Sequence, residues 1–396
     1  MGKYNLDAYI ERRGSDCIKF DWAKEHGYED DIMPFWVADM DFETVPEVSR
    51  AICERTKHGI YGYTLPKEDY WDTVIKWLSK HFGFSPKKEW GFYTPGVVFA
   101  LSSAIRSFTK EGDAVMIQRP VYHPFTKMVE KNHRELVNSP LKLVKTKLGF
   151  HYEMDYEDFE TKIIDHKVKL FLLCNPHNPG GRVWTREELE RIGDICVRHN
   201  VIVVSDEIHA DFAFAPHKHT VFASIKEEFL NCTVTCTSPT KTFNLAGLQI
   251  SNIFCANEAM RNQMIEDIMN TGYDEPNIFG IVACKAAYEY GEEWLVEIKQ
   301  YIQDNMQYVR EVLTKNLPKV KMMDTEGTYL AWLDFSAYQL TEQEIEELMV
   351  NEAKLWLVSG TTFGPEGLGF KRINVATSRA YLEKAMNSLC ETFKDL

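Results

Sequence analysis

The sequence predicts an α/β protein with a large domain, in which helices flank a mostly parallel sheet, and a smaller α+β domain. Its 396 residues correspond to about two to three structural units. In the middle of the chain, short continuous apolar runs alternate with an amphipathic helix, which is typical of parallel strands buried on both faces. The last quarter contains long amphipathic helices and two strand-like runs, at 328–335 and 371–376. We therefore assign residues 51–289 to the large domain, and residues 1–50 with 290–396 to the smaller one.

The first part of the large domain contains a helix and a strand, each next to a turn. Residues 92–96, Phe-Tyr-Thr-Pro-Gly, precede a helical stretch over about 97–109. Residues 113–117 are a short apolar run, which predicts a buried strand, and Tyr122 follows this run after a Pro-containing turn. Both turns are expected at the ends of buried elements.

Three further strands are predicted in the second part of the large domain. Their runs are residues 168–174, 201–204 and 232–237, and each stops at polar or turn-forming residues. Between the first two, Thr185 and Glu188 have the spacing of a capping box, which predicts the start of a helix. The alternation of strand and helix predicts βαβ units and hence a parallel sheet.

Composition and charge exclude several classes of protein. Lysine and arginine number 45 against 59 aspartates and glutamates, and the net charge of −14 has the wrong sign for binding a nucleic-acid backbone. No apolar run reaches the roughly 18 residues of a membrane span, and the first residues lack the apolar segment of a secretory leader. The nine cysteines are an odd and modest number, typical of free thiols in a reducing compartment. We therefore expect a cytoplasmic enzyme that binds neither nucleic acid nor membrane.

Polar side chains follow the carboxyl ends of the predicted strands. Ligands bind at this edge of an open parallel sheet. The turn at Gly96 adds the backbone N–H groups of a helix N-terminus, which suits a phosphate. A lysine beside a phosphate site, an aromatic side chain and an acid is the set that pyridoxal phosphate (PLP) requires. The residues at the strand ends are Tyr122, Asn178, Asp206, His209, Ser238 and Lys241.

Motifs in a fixed order connect these residues to a known group of enzymes. Gaps of 28 and 35 residues separate Asn178 from Asp206 and Asp206 from Lys241, within Asn-Pro-His-Asn-Pro at 175–179, Ser-Asp-Glu-Ile-His at 205–209 and Ser-Pro-Thr-Lys at 238–241. Over roughly residues 20 to 380, the chain resembles the fold-type I PLP enzymes, the aspartate aminotransferase superfamily. It looks most like the cystathionine β-lyase and cysteine C–S lyase subgroup, through the motifs at 35–42, 62–64, 94–98 and 371–374.

The resemblance implies roles for the residues around the cofactor. Lys241 is implied to form the Schiff base with PLP, and Asp206 to pair with its pyridine nitrogen. Asn178 is implied to donate to the phenolic oxygen with His209 nearby, and Tyr122 to stack on the ring. The phosphate is implied to be held at the N-terminus of the helix and by a hydroxyl, from Gly96, Val97, Val98 and Ser238.

The resemblance also implies substrate contacts and a shared active site. Arg372 is implied to bind the α-carboxylate of the substrate, while Ala38 and Asn178 border the substrate. Tyr63 is implied to reach the phosphate of a neighbouring subunit, which predicts a homodimer. Two positions depart from the pattern. Gln249 stands where many superfamily members have arginine, and His123 stands where a second tyrosine is common.

The predicted function is PLP-dependent β-elimination from cystathionine, cysteine or S-substituted cysteines, which gives a thiol or sulfide, pyruvate and ammonia. Composition and spacing do not distinguish this reaction from transamination, and the choice of β-elimination depends on the resemblance. An aminotransferase and a PLP-binding regulatory protein remain alternatives. A dinucleotide-dependent oxidoreductase is disfavoured, because the glycine-containing run at 364–369 follows no strand–helix pattern. No metal site is predicted, since Cys232 and Cys236 lack the further ligands of a zinc site.

Overall fold

A computed structural model describes residues 2–396 and contains a large mixed sheet and a smaller antiparallel one. The strands are β1 (Met33–Pro34), β2 (Gly91–Thr94), β3 (Ala114–Ile117), β4 (Glu135–Asn138), β5 (Lys142–Lys145), β6 (Phe150–Glu153), β7 (Leu170–Cys174), β8 (Ile202–Asp206), β9 (Thr233–Thr237), β10 (Ser251–Phe254), β11 (Lys321–Met322), β12 (Leu330–Asp334), β13 (Leu355–Trp356), β14 (Val358–Ser359) and β15 (Phe370–Asn374).

Helices connect and cover these strands. They are α1 (Ile18–Asp21), α2 (Pro46–Lys57), α3 (Glu68–Phe82), α4 (Val97–Phe108), α5 (Pro124–Lys131), α6 (Tyr156–His166), α7 (Arg186–Arg198), α8 (Glu227–Asn231), α9 (Pro239–Thr242), α10 (Glu258–Asn270), α11 (Ile278–Tyr290), α12 (Glu292–Asn316), α13 (Glu342–Glu347) and α14 (Arg379–Phe393). Among residues 2–396, no helix has the length and apolar character needed to cross a membrane.

The large sheet has the strand order β2-β10-β9-β8-β7-β3-β4, and β10 alone of these seven runs antiparallel to its neighbours. The prediction of a mostly parallel sheet flanked by helices is therefore confirmed. The central strands β7 and β9 are buried along their whole length, as the continuous apolar runs require. The capping box is also confirmed, because the Thr185 hydroxyl accepts from the Glu188 N–H at 3.2 Å while the Glu188 carboxylate accepts from the Thr185 N–H at 2.8 Å.

Two apolar layers enclose the large sheet, because successive side chains of a strand point to opposite faces. Leu170 and Leu172 pack on the face covered by α4, α5 and α10, whereas Phe171 and Leu173 pack on the face covered by α6, α7 and α8. Each buried leucine or phenylalanine contributes about 1.5–3 kcal/mol of burial free energy. The carboxyl ends of the parallel strands are thereby held at one edge.

The smaller sheet is antiparallel, with the order β11-β12-β15-β14, and packs in one core with α12 and α14. The N-terminal segment joins this part of the molecule, because β1 pairs with β13 and the Phe35 carbonyl accepts from the Asn374 N–H at 3.0 Å. Residues 36–41 then cross to the large sheet, where the Asn244 side chain bonds to the backbone N–H and carbonyl of Met40 at 3.0 and 2.9 Å.

Candidate active site

The central carboxylate of the site is Asp206, the last residue of β8. The strand extends two residues beyond the predicted 201–204 run, because Asp206 continues the ladder between Cys174 of β7 and Cys236 of β9. The carboxylate is buried and accepts one hydrogen bond, from the Ile208 N–H at 3.1 Å. Burial, with the nearby charge of Glu207, raises the pKa of Asp206 to about 7. No ion pair among residues 2–396 includes Asp206, so its burial is not compensated by a protein cation.

Lys241 lies opposite, in the short helix α9 that follows β9. The helix begins at Ser238, whose hydroxyl accepts from the Thr240 N–H at 3.1 Å. The Lys241 ammonium donates to the carbonyl oxygen of Ala38 at 2.6 Å, and the Tyr329 hydroxyl donates to the same oxygen at 3.0 Å. Burial lowers the pKa of Lys241 to about 8. A lysine with this pKa is partly unprotonated near neutral pH, which suits a nucleophile or a base.

Arg372, on β15, brings a guanidinium from the smaller sheet to the site. Its Nη1 donates to Asn178 Oδ1 at 3.0 Å and its Nη2 to the Trp36 carbonyl at 2.7 Å, while Nε has no partner. Burial lowers the pKa of Arg372 to about 10. Among the described residues no carboxylate pairs with it, so the site presents a buried cation with room for an anion.

Tyr122 and His209 complete the wall around Asp206 and Lys241. The Tyr122 N–H donates to the Asn178 carbonyl at 2.9 Å, which fixes the tyrosine beside the turn after β7. His209 is buried with its Nδ1 unpartnered, and its ring meets that of Tyr329 edge-on, with centroids 5.7 Å apart. Burial, assisted by the charges of Lys241 and Arg372, lowers the pKa of His209 to about 3. His209 is therefore a neutral imidazole.

The N-terminus of α4 forms the remaining wall. The first N–H groups of a helix have no partner within the helix, and no side chain caps this end at Gly96. A side chain at Gly96 would meet no protein atom within 4 Å, so packing within the chain does not require a glycine there. The free N–H groups and the open approach suit a phosphate.

These elements enclose an inner cavity of about 180 Å³. Nine of the predicted residues line it: Ala38, Gly96, Val97, Val98, Tyr122, Asn178, Asp206, His209 and Lys241. An outer chamber of about 440 Å³ shares Ala38, Tyr122 and Lys241 with the inner cavity and also contains Arg372. The residues that the sequence places at separate strand ends thus converge on two connected spaces.

Two predicted residues lie elsewhere. The Ser238 hydroxyl is occupied inside the protein, because it donates to the Ile250 carbonyl at 2.7 Å, and Ser238 does not line the inner cavity. Tyr63 is 94% exposed and lines neither cavity. Gln249 is exposed after a short turn, and burial lowers the pKa of His123 to about 4, so this histidine is a neutral part of the outer chamber.

Sequence reasoning missed several residues of the site. Thr240 and Cys174 line the inner cavity, and their positions next to Lys241 and at the end of β7 were available as signals. Tyr329 had no such signal, because its contact with Ala38 joins residues that are 291 positions apart. Pro95, Ile208 and Ala246 also line the inner cavity.

Comparison with known proteins agrees with this geometry. The sequence model of the family described as aminotransferase class I and II matches residues 30–389. The chain belongs to this family. Cystathionine beta-lyase PatB of Bacillus subtilis, a relative of this aminotransferase-family chain, is 44% identical to it over 97% of this chain and 98% of PatB.

Solved structures of similar proteins share the whole fold. Cystalysin from Treponema denticola, which contains a pyridoxal 5′-phosphate cofactor, has a TM-score of 0.94 and 34% identity over 99% of each chain. The PLP-bound C–S lyase from Staphylococcus hominis has a TM-score of 0.91 and 32% identity over 98% of each chain. The predicted superfamily and fold class are therefore confirmed for this member of the aminotransferase family.

Proposed function

We propose that this protein is a PLP-dependent C–S β-lyase that acts on cystathionine, cysteine or S-substituted cysteines. The observation that supports it most is the convergence of Lys241, Asp206 and Arg372 on two connected cavities, each ionisable group lacking a counter-ion in contact with it. The fold is shared with relatives named cystathionine beta-lyase and C–S lyase. Products of the reaction are a thiol or sulfide, pyruvate and ammonia.

The residues present fit PLP. Asp206 is a buried carboxylate that lacks a cation, and a protonated pyridine nitrogen would supply one. The uncapped N-terminus of α4, with Val97 and Val98, would hold the phosphate. Lys241 would attach the cofactor through its amine, and Tyr122 would border the ring.

Each group of the protein has a defined task in the reaction. PLP, when bound, withdraws the electrons left on the substrate Cα after proton loss. Lys241 Nζ, with its pKa of about 8, takes the Cα proton as general base. Arg372 binds the substrate α-carboxylate, since its guanidinium presents paired donors and has no protein anion in contact. Asn178, which accepts from Arg372, keeps that side chain in place.

We further propose a homodimer in which Tyr63 reaches the neighbouring site. Four apolar or aromatic side chains within residues 60–65 are more than half exposed, which is typical of a surface that binds another protein chain. We also propose the domain division at residues 51–289, with 1–50 and 290–396 as the smaller domain, and a cytoplasmic location in keeping with nine free cysteines.

Transamination is the second candidate, because the family itself is described as aminotransferase class I and II. Both reactions begin with loss of the Cα proton, and the residues assigned above serve either one. They differ in the fate of that proton and in the need for a keto acid. A lyase consumes its substrate without one.

The decisive assay measures pyruvate and free thiol released from L-cystathionine by the purified protein with PLP and no keto acid. We expect equal amounts of the two products, since β-elimination forms one of each. Turnover that requires a keto acid and releases no thiol would replace the lyase assignment with transamination.

Lys241→Ala tests the assigned base. We expect loss of visible cofactor absorbance and of borohydride trapping, and at least about a thousandfold lower turnover, because the general base and the attachment point are both removed. Lys226→Ala is the control, since Lys226 pairs only with Glu190 and Asp194 on the surface. Full activity in Lys241→Ala would contradict the assignment.

A further inference from the structure

The outer chamber is the space into which a substrate side chain must extend. Lys241 and Arg372, the proposed partners of the substrate Cα and α-carboxylate, both line it. A substrate held between them therefore directs its sulfur and S-substituent into the rest of this volume. The far wall consists of Glu346, Ser359, Thr362, Trp36, Trp356 and His26.

Aromatic rings form one side of this far wall. Trp36 and Trp356 are stacked with centroids 4.5 Å apart, and the His26 ring lies 4.9 Å from that of Trp356. Aromatic faces attract apolar groups and cations, and they offer no favourable contact to an anion.

The acid Glu346 lies on the other side, beside a lysine that is not available to a ligand. Lys371 is fully buried, and its ammonium donates to Glu346 at 2.6 Å, to Glu342 at 2.9 Å and to Ser359 at 2.6 Å. An ammonium has three N–H donors, so Lys371 has none left. Glu346 accepts from Lys371 and Ser359 through Oε2, and no protein hydrogen bond is made by its Oε1 among the described residues.

The charges of the chamber are therefore unequal toward a substrate side chain. Arg372 is occupied by the α-carboxylate, and His123 is neutral because burial lowers its pKa to about 4. An ammonium at the end of the S-substituent would meet Glu346 and the aromatic rings. A carboxylate at the same place would meet Glu346 with no free cation to offset the repulsion.

We propose that the outer chamber selects substrates by the charge of the S-substituent, with Glu346 as the specificity-determining residue. Substituents that end in an ammonium are preferred, apolar ones are accepted, and those that end in a carboxylate are rejected. This inference rests on the proposed lyase function and identifies its substrate class as cationic and apolar S-substituted cysteines.

The test compares three substrates of similar size on the PLP-loaded protein: S-(2-aminoethyl)-L-cysteine, S-propyl-L-cysteine and S-carboxymethyl-L-cysteine. Pyruvate release gives kcat/KM for each. We expect the aminoethyl substrate to exceed the carboxymethyl substrate by about 100-fold, because one charge is attracted and the other repelled near the protein surface. Equal values, or a preference for the carboxymethyl substrate, would overturn the inference while leaving the lyase assignment intact. No pyruvate from any of the three would overturn the proposed function itself.

Glu346→Gln locates the selection. We expect the ratio of kcat/KM for the aminoethyl substrate over the propyl substrate to fall about 10-fold, because the amide removes the charge and keeps the shape. Glu342→Gln is the matched control, since Glu342 also contacts Lys371 but does not line the chamber, and its ratio should equal that of the parent. An unchanged ratio in Glu346→Gln, or an equal fall in Glu342→Gln, would contradict the role of Glu346. If Glu346→Gln does not fold, the three-substrate comparison on the parent protein decides the inference.

Discussion

At the scale of single residues, the site is a set of buried ionisable groups whose pKa values burial displaces. Asp206 is held toward its neutral form with a pKa of about 7, and Lys241 toward its amine with a pKa of about 8. Removal of a charge from water costs free energy unless a partner compensates. The protein alone supplies few such partners here, so the cofactor and substrate are the expected ones.

Asp206→Asn tests this cost in the cofactor-free protein. The pKa of Asp206 is about 7 in the folded state against roughly 3.9 in an unfolded chain, so its contribution to stability is complete below about pH 4 and is lost as the pH rises through 7. Asparagine does not ionise. We therefore expect the free energy of unfolding of the variant, relative to the parent, to rise between pH 4 and 8 by at most about 4 kcal/mol.

Denaturant unfolding at a series of pH values measures this difference. Asp165→Asn, at an exposed position in α6, is the control and should follow the parent at every pH. With PLP added the order should reverse, because Asp206→Asn loses the charge that the cofactor needs. A constant difference between variant and parent across the pH range would show that burial of Asp206 has no such cost.

At the scale of elements, the N-terminal segment is fixed over the site by a buried ionic cluster. Lys19 donates to both carboxylate oxygens of Asp41 at 2.8 Å, and Arg12 donates to Asp41 at 2.7 Å and to Asp39 at 2.6 Å. Burial alone would raise the pKa of Asp41, but these two cations hold it below its ordinary value. The cluster adjoins Ala38, whose carbonyl accepts from Lys241.

Lys19→Met is expected to lower the free energy of unfolding by about 3–5 kcal/mol, because it leaves a buried carboxylate short of a cation. Catalytic turnover should fall as well, since the Ala38 carbonyl loses its support. Urea unfolding and the pyruvate assay measure the two effects. Lys24→Met removes an exposed lysine, 3.3 Å from Asp30, and should change neither. Parent-like stability in Lys19→Met would mean that the cluster does not hold the segment.

At the scale of the whole molecule, the site is assembled from distant parts of the chain. The large sheet supplies Asp206 and Lys241, the smaller sheet supplies Arg372, and the segment before α2 supplies Ala38. The proposed dimer would add Tyr63 from a second copy. Two variants that each damage a different half of the site test this arrangement.

Tyr63→Ala and Lys241→Ala are each expected to be poorly active, and a mixture refolded together should regain activity. Half of the dimers would be mixed and would hold one intact site, so about a quarter of the parent activity is expected. Refolding each variant alone is the control. A mixture no more active than its components would contradict a shared site.

Prediction from sequence succeeded where local patterns fix structure. The strand ends, the capping box and the spacing from Asn178 to Lys241 are local or nearly local, and the resemblance added the roles of the residues. The positions of Ser238 and Tyr329 were not predictable in the same way. The Ser238 hydroxyl is occupied by a carbonyl of β10's flanking segment, and Tyr329 reaches Ala38 from the smaller sheet.

The sequence by itself determined the class of fold, the family, and the cofactor and base that the motif order implies, because apolar periodicity and motif spacing depend on neighbouring residues. Tertiary structure alone decided the contact between Arg372 and Asn178, the Ala38 carbonyl at Lys241, and the occupied lysine beside Glu346. These contacts join residues separated by up to 203 positions. No local pattern encodes them, since they depend on how the two sheets and the N-terminal segment pack together.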